Sequence, residues 1–159
     1  MPLYFAYGAN MDSAAMANRC PHSRALGTAR LAGHRLFIMQ GGFASIRRDS
    51  SAKVHGVLYD LAFSDVGPLD RYEEVTSGLY RKLTQPVLRT VGGPVRALVY
   101  VGGNALEGKP KPGYLDGIIA AGRSWNLPED YLAFLQTLAG GDGSGVRSGG
   151  WRAIKLSGV

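Results

Sequence analysis

The sequence predicts an α+β protein, a small mixed or antiparallel β-barrel-like sheet with peripheral helices. Three observations carry that expectation. Runs rich in Val, Ile, Leu, Tyr and Thr, separated by glycine-containing turns, recur from residue 3 to residue 101. Two segments of helical period are concentrated near the C-terminus, between residues 114 and 138. Strands and helices do not alternate in the rhythm a doubly wound parallel sheet requires. At 159 residues and 45% hydrophobic content, the chain suffices for a sizeable core without disulfides or metal staples.

Taken in order, Leu3 to Tyr7 is an apolar strand that stops at the small-residue turn Tyr7-Gly8-Ala9-Asn10. Met11 to Arg19 follows as a short helix, with Asn10 or Asp12 able to cap it. Ala25 to Leu31 and His34 to Met39 read as two strands joined by a hairpin at Ala32-Gly33, and Gly41-Gly42 leads into a short strand from Phe43 to Arg47. Val54 to Leu61 is a largely buried strand. Ser64 to Tyr72 is a helix with Ser64 as its cap and Asp65 in its first turn. Leu79 to Leu88 and Val95 to Val101 flank Val91-Gly92-Gly93-Pro94, a strong hairpin signal. The stiff stretch Lys109-Pro110-Lys111-Pro112-Gly113 delivers Tyr114 to a helix ending near Trp125, with Leu115, Ile118, Ile119 and Gly122 on its apolar face. Pro128-Glu129-Asp130 opens a last helix carrying Tyr131, Phe134, Leu135 and Leu138. Six to eight strands and three or four helices are expected in all. Residues 1–139 form one domain, 140–150 a Gly/Ser-rich linker, and 151–159 a C-terminal strand or tail.

The formal net charge is +6, yet the basic residues are scattered rather than clustered with aromatics, which argues against nucleic-acid binding and equally suits a small anionic ligand. The single cysteine, Cys20, excludes an intrachain disulfide and a cysteine-based zinc site. With no leader-like start and no apolar run of the ~20 residues a membrane span needs, the expectation is a cytoplasmic protein without a membrane role. His22, His34 and His55 show no metal-ligand spacing, so neither a metal nor another cofactor is expected. Oligomeric state is open.

Two stretches can carry chemistry. Gly8 and Ala9 have almost no side chain, and unpaired backbone N–H groups at a helix start attract a carboxylate or phosphate; the same four residues also read simply as a strand end. In Leu69-Asp70-Arg71-Tyr72-Glu73-Glu74-Val75, two adjacent carboxylates lie between a helix end and a strand. Packed among tyrosines, such a carboxyl has its pKa raised toward neutrality and can act as base and then acid; exposed, it is a solvated pair.

Tyr4-Phe5-Ala6-Tyr7-Gly8-Ala9-Asn10 resembles the Y-F-A-Y-G-S-N opening of γ-glutamylcyclotransferase-like proteins. Leu69 to Tyr80 is similar to their L-D-x-x-E-x-V-x-S-G-x-Y segment, and the agreement extends through Pro112-Gly113-Tyr114 and Leu127-Pro128-Glu129-Asp130-Tyr131. The resemblance covers four segments in one order across residues 4 to 131. It implies a barrel-like fold with peripheral helices and a cofactor-independent cyclisation of a small γ-glutamyl amide to 5-oxoproline with release of the amine or amino acid. It places Glu73 at the catalytic acid, Tyr7, Gly8, Ala9 and Asn10 in the substrate loop, and Tyr80, Tyr100 and Tyr114 around the ligand. Ala9 stands where that opening has serine. The alternative is a non-catalytic small-molecule-binding module on the same fold.

Overall fold

The structure, a computed structural model, describes residues 2–140. Five strands, β1 (Leu3–Ala6), β2 (Arg24–Ile38), β3 (Ala44–Asp60), β4 (Tyr80–Arg89) and β5 (Pro94–Gly102), form a closed barrel in the order β1-β3-β2-β4-β5. Every neighbouring pair is antiparallel except β5 with β1, which are parallel and registered through one pair, Tyr4 with Leu98. Four α-helices lie outside: α1 (Ser13–Arg19), α2 (Phe63–Tyr72), α3 (Tyr114–Ser124) and α4 (Glu129–Thr137). The expected linker and tail lie outside the described residues, apart from Gly140 at the end of a 3-10 turn.

The expected class is the observed one, but among the described residues the strand count is five rather than six to eight, because two predicted breaks are absent. No hairpin forms at Ala32-Gly33. β2 runs straight through, and Gly33, at φ 73°, sits at a register shift in which Ala32 pairs with Lys53 and His34 with Arg48, so the extra residues of this β-bulge lie on β3. Opposite it, β3 continues through Asp49 to Lys53 as one strand of 17 residues. Long bent strands wrap a barrel with so few members, and a bulge supplies the bend without ending the pairing. The β2–β3 connection lies instead at Gly41-Gly42, both at positive φ.

Helix α2 also starts differently from expectation: Ala62, not Ser64, precedes it, and no side chain caps it. Asp65 in its first turn is buried and accepts hydrogen bonds from the Ser23 hydroxyl at 2.7 Å and the His22 N–H at 2.9 Å. A carboxylate that satisfies donors from another segment is a tertiary clamp, and one-dimensional pattern cannot distinguish that from a surface helix start. Asp12 caps α1, accepting from the N–H groups of Ala14 and Ala15.

Helices α3 and α4 pack closely through Gly122, where a Cβ would lie 2.8 Å from a Leu132 methyl. Leu115, Ile118 and Ile119 of α3 join Tyr131, Leu132 and Leu135 of α4 in the core. Trp125, just past α3, donates from Nε1 to the Met11 carbonyl at 2.8 Å, pinning the helical layer to the turn that follows β1. Cys20 is buried, and burial pushes its thiol up to about 11, so it is a packed group and not a nucleophile. Among the described residues, no helix is long and apolar enough to cross a membrane.

Candidate active site

The turn after β1 is a 3-10 helix, Ala9–Met11, entered through Gly8. Its carbonyls are occupied: Gly8 accepts from the Met11 N–H, Ala9 from the Asp12 N–H, and Asn10 from the Tyr59 hydroxyl at 2.9 Å. The N–H groups of Gly8, Ala9 and Asn10 have no acceptor among the described residues. Such a turn is an anion cradle in waiting. Gly8 is small for a reason, since a Cβ there would sit 3.3 Å from the Tyr114 hydroxyl.

The second half of the site comes from the end of α2. The Glu74 N–H bonds the Arg71 carbonyl and the Val75 N–H bonds the Asp70 carbonyl, each at 3.1 Å, with Glu74 itself left-handed at φ 51°. This is a Schellman ending with glutamate in the place glycine normally takes. It stops the helix at Glu73 and turns the chain toward β4.

The turn and the helix end face one cavity of about 190 Å³, lined by Tyr7, Gly8, Ala9, Asn10, Glu73, Tyr80, Tyr100 and Tyr114. Every site residue expected from the sequence is therefore brought together, from four separate stretches. Tyr4, Phe43, Tyr72, Glu74 and Leu79 line it too. Glu73 is partly buried in this wall, and burial raises its pKa to about 7, with Arg19 pulling the other way. The tyrosines are also raised, chiefly by burial, so their hydroxyls keep their protons at neutral pH.

Those hydroxyls are not equivalent. Tyr7 donates to the Tyr100 carbonyl and Tyr80 to the Ala44 carbonyl, both at 2.6 Å. Tyr100 donates to Asp70 Oδ1 at 2.5 Å, and Lys82 Nζ holds the same carboxylate at 2.8 and 3.1 Å. Tyr114, by contrast, accepts from the Ala44 N–H at 3.0 Å, and Tyr4 accepts from Asn10 Nδ2 at 3.1 Å.

Four contributors have no signature of their own in the sequence: Tyr4, Asp70 and Tyr72, which stand there only within the quoted motifs, and Arg19. Arg19 Nη1 donates to Asn10 Oδ1 at 2.5 Å while its guanidinium lies 3.6 Å above the Tyr72 ring. None of these is signalled by local spacing, because each partner is supplied by tertiary contact. The histidines do not line the cavity: His22 adjoins Asp65, His34 bonds the Ala32 carbonyl, and His55 packs on Tyr131.

The chain is similar to known proteins over most of its length. A human γ-glutamylcyclotransferase is 28% identical over 153 aligned residues, taking in 90% of this chain and 81% of the relative. The mouse protein of the same name is 27% identical over 146 residues, with 86% and 78% covered. A solved structure named γ-glutamyl cyclotransferase superposes with a TM-score of 0.82 at 26% identity, covering 91% of both chains. The model of the AIG2-like family matches residues 53–135, which hold Glu73, the tyrosines at 80, 100 and 114, α3 and most of α4. By that match, over more than half of its length, the chain belongs to the AIG2-like family.

Proposed function

We propose that this protein is a γ-glutamyl cyclotransferase that converts a small γ-glutamyl amide to 5-oxoproline and releases the attached amine or amino acid. The observation that carries the reading is a single cavity joining a carboxyl raised to about 7 with a turn whose three N–H groups are free. The likeness to curated cyclotransferases over nine-tenths of the chain supports it.

In a γ-glutamyl amide, the α-amine and the γ-carbonyl belong to one molecule, and their union closes a five-membered ring. No enzyme nucleophile is required, so the work is to fold the substrate and move protons. The N–H groups of Gly8, Ala9 and Asn10 hold the α-carboxylate, which turns the α-ammonium toward Glu73. Ala9 serves here through its backbone, a role that serine would fill equally well. Glu73 takes one proton from the ammonium, and the freed lone pair forms the C–N bond while the carbonyl π pair moves onto oxygen. When that pair returns, the bond to the departing nitrogen breaks. Glu73 delivers its proton there and relays the second proton from the ring nitrogen, so the amine leaves as ammonium and Glu73 ends ionised. A carboxyl poised near neutrality suits both directions of transfer.

The test is incubation with a panel of γ-glutamyl amino acids and alkylamines while 5-oxoproline is measured. Release from at least one member is expected. No release from any member, by protein shown to be folded, would overturn the proposal and leave the non-catalytic binding module in its place.

A further inference from the structure

We infer that Tyr4 is the hydroxyl donor to the oxyanion, and that Arg19 and Asn10 are positioning residues that keep its proton free for that purpose. The inference rests on the cyclisation reading above and identifies a group in the same cavity.

Donors and acceptors decide where the Tyr4 proton can go. Arginine can only donate, so its 2.5 Å contact fixes the Asn10 side chain with Oδ1 toward Arg19. The amide nitrogen must then face Tyr4, and a primary amide nitrogen can only donate, so the Tyr4 oxygen accepts at 3.1 Å. The Tyr4 proton therefore cannot go to Asn10, and among the described residues no other acceptor takes it. Tyr7, Tyr80 and Tyr100 have already donated theirs.

Tyr114 shares this freedom, with its hydroxyl beside Gly8, and Tyr72, exposed at the cavity wall, donates to no group among the described residues. Tyr4 is buried and lines the same cavity as Glu73, and the Arg19–Asn10 side-chain pair, rather than a backbone group, sets the direction of its hydroxyl. The Tyr4 ring is held by an edge contact with Tyr100 at 5.7 Å and a stack on Tyr59 at 6.1 Å. A buried, rigid, neutral donor requires no reorganisation when an oxyanion forms within its reach. Tyr4 transfers no proton. It donates a hydrogen bond while the carbonyl pair resides on oxygen, and the bond weakens when the carbonyl re-forms.

Because that interaction belongs to the transition state, it appears in kcat and not in KM. Tyr4→Phe is expected to lower kcat about 10²-fold with KM nearly unchanged. Asn10→Asp keeps an acceptor for Arg19 but replaces the Nδ2 donor with oxygen, to which the Tyr4 proton will bond; it should reproduce most of the kcat loss. The double variant should be no worse than the poorer single one, the non-additivity expected of groups acting as one unit. Folding of each variant is checked by circular dichroism. Wild-type kcat in folded Tyr4→Phe, or fully multiplicative losses in the pair, would overturn the role of Tyr4 while leaving the cyclisation standing. Should Tyr4→Phe fail to fold, unchanged kcat in Asn10→Asp overturns that role equally. A folded wild type that turns over nothing in the panel removes the reaction and the role together.

Discussion

At the scale of single residues, Glu73 couples chemistry to stability. Its native pKa of about 7 lies above the ~4.3 of a free glutamate. The native state thus holds the proton more tightly than the unfolded chain, and stability declines as pH rises from about 4.3 through about 7. Glu73→Gln, with no charge to bury, should melt higher than wild type at pH 8, and the difference should vanish below about pH 4, beneath both pKa values. Scanning calorimetry at the two pH values checks this. The same variant should lose at least about 10²-fold in kcat. In the wild type, kcat/KM should rise with pH through a pKa near 7, because only the ionised carboxylate takes the ammonium proton. Asp65 behaves oppositely. Burial would push its carboxyl up, but hydrogen bonds from Ser23 and His22 outweigh that and hold it low, so its contribution is lost as pH falls. Asp65→Ala leaves those donors unsatisfied and should cost about 2–3 kcal/mol in urea unfolding. Glu73 is legible in the sequence as an acid among tyrosines, whereas Asp65 reads there as an ordinary helix start, since burial is a property of the fold and not of a residue's neighbours in sequence.

At the scale of elements, the features that aim the site are places where the backbone departs from regular geometry. Glu74 at φ 51° ends α2 in a conformation that costs a non-glycine residue roughly 1 kcal/mol. Glu74→Gly should therefore raise the unfolding free energy by up to about 1 kcal/mol, with equilibrium denaturation as the measure. Gly56, within β3, meets the Ala6 carbonyl at a distance no side chain tolerates and lies 2.9 Å from the Phe5 ring, measured from where a Cβ would be. Gly56→Ala should cost about 2–3 kcal/mol and lower activity in whatever fraction stays folded, because β1 must move and the anion-holding turn moves with it. Helices α3 and α4 and the β4–β5 hairpin are readable from period and turn chemistry. The continuity of β2 and β3 is not, because Gly33 opposite a bulge within a strand and Gly33 in a hairpin present the same local residues, and only the closure of the barrel distinguishes them.

At the scale of the whole molecule, the formal charge of +6 spreads a weak attraction for anions over the surface. A γ-glutamyl amino acid carries a net negative charge and a γ-glutamyl alkylamine carries none. The value of kcat/KM for the former should fall severalfold as the Debye length shortens from ~30 Å at 0.01 M to ~8 Å at 0.15 M ionic strength, while that of the latter stays nearly constant. Rate measurements at the two salt concentrations separate a charge effect from a change in the pocket itself. The barrel has one further property of this kind. Its ring is fastened by a single parallel pairing, Tyr4 with Leu98, and Tyr4 is also a wall of the cavity. The hoop's clasp and a piece of its working surface are the same residue. The least-fastened joint in a sheet is where sub-global opening begins, so mild heating or dilute urea should silence this protein while most of its strands are still paired.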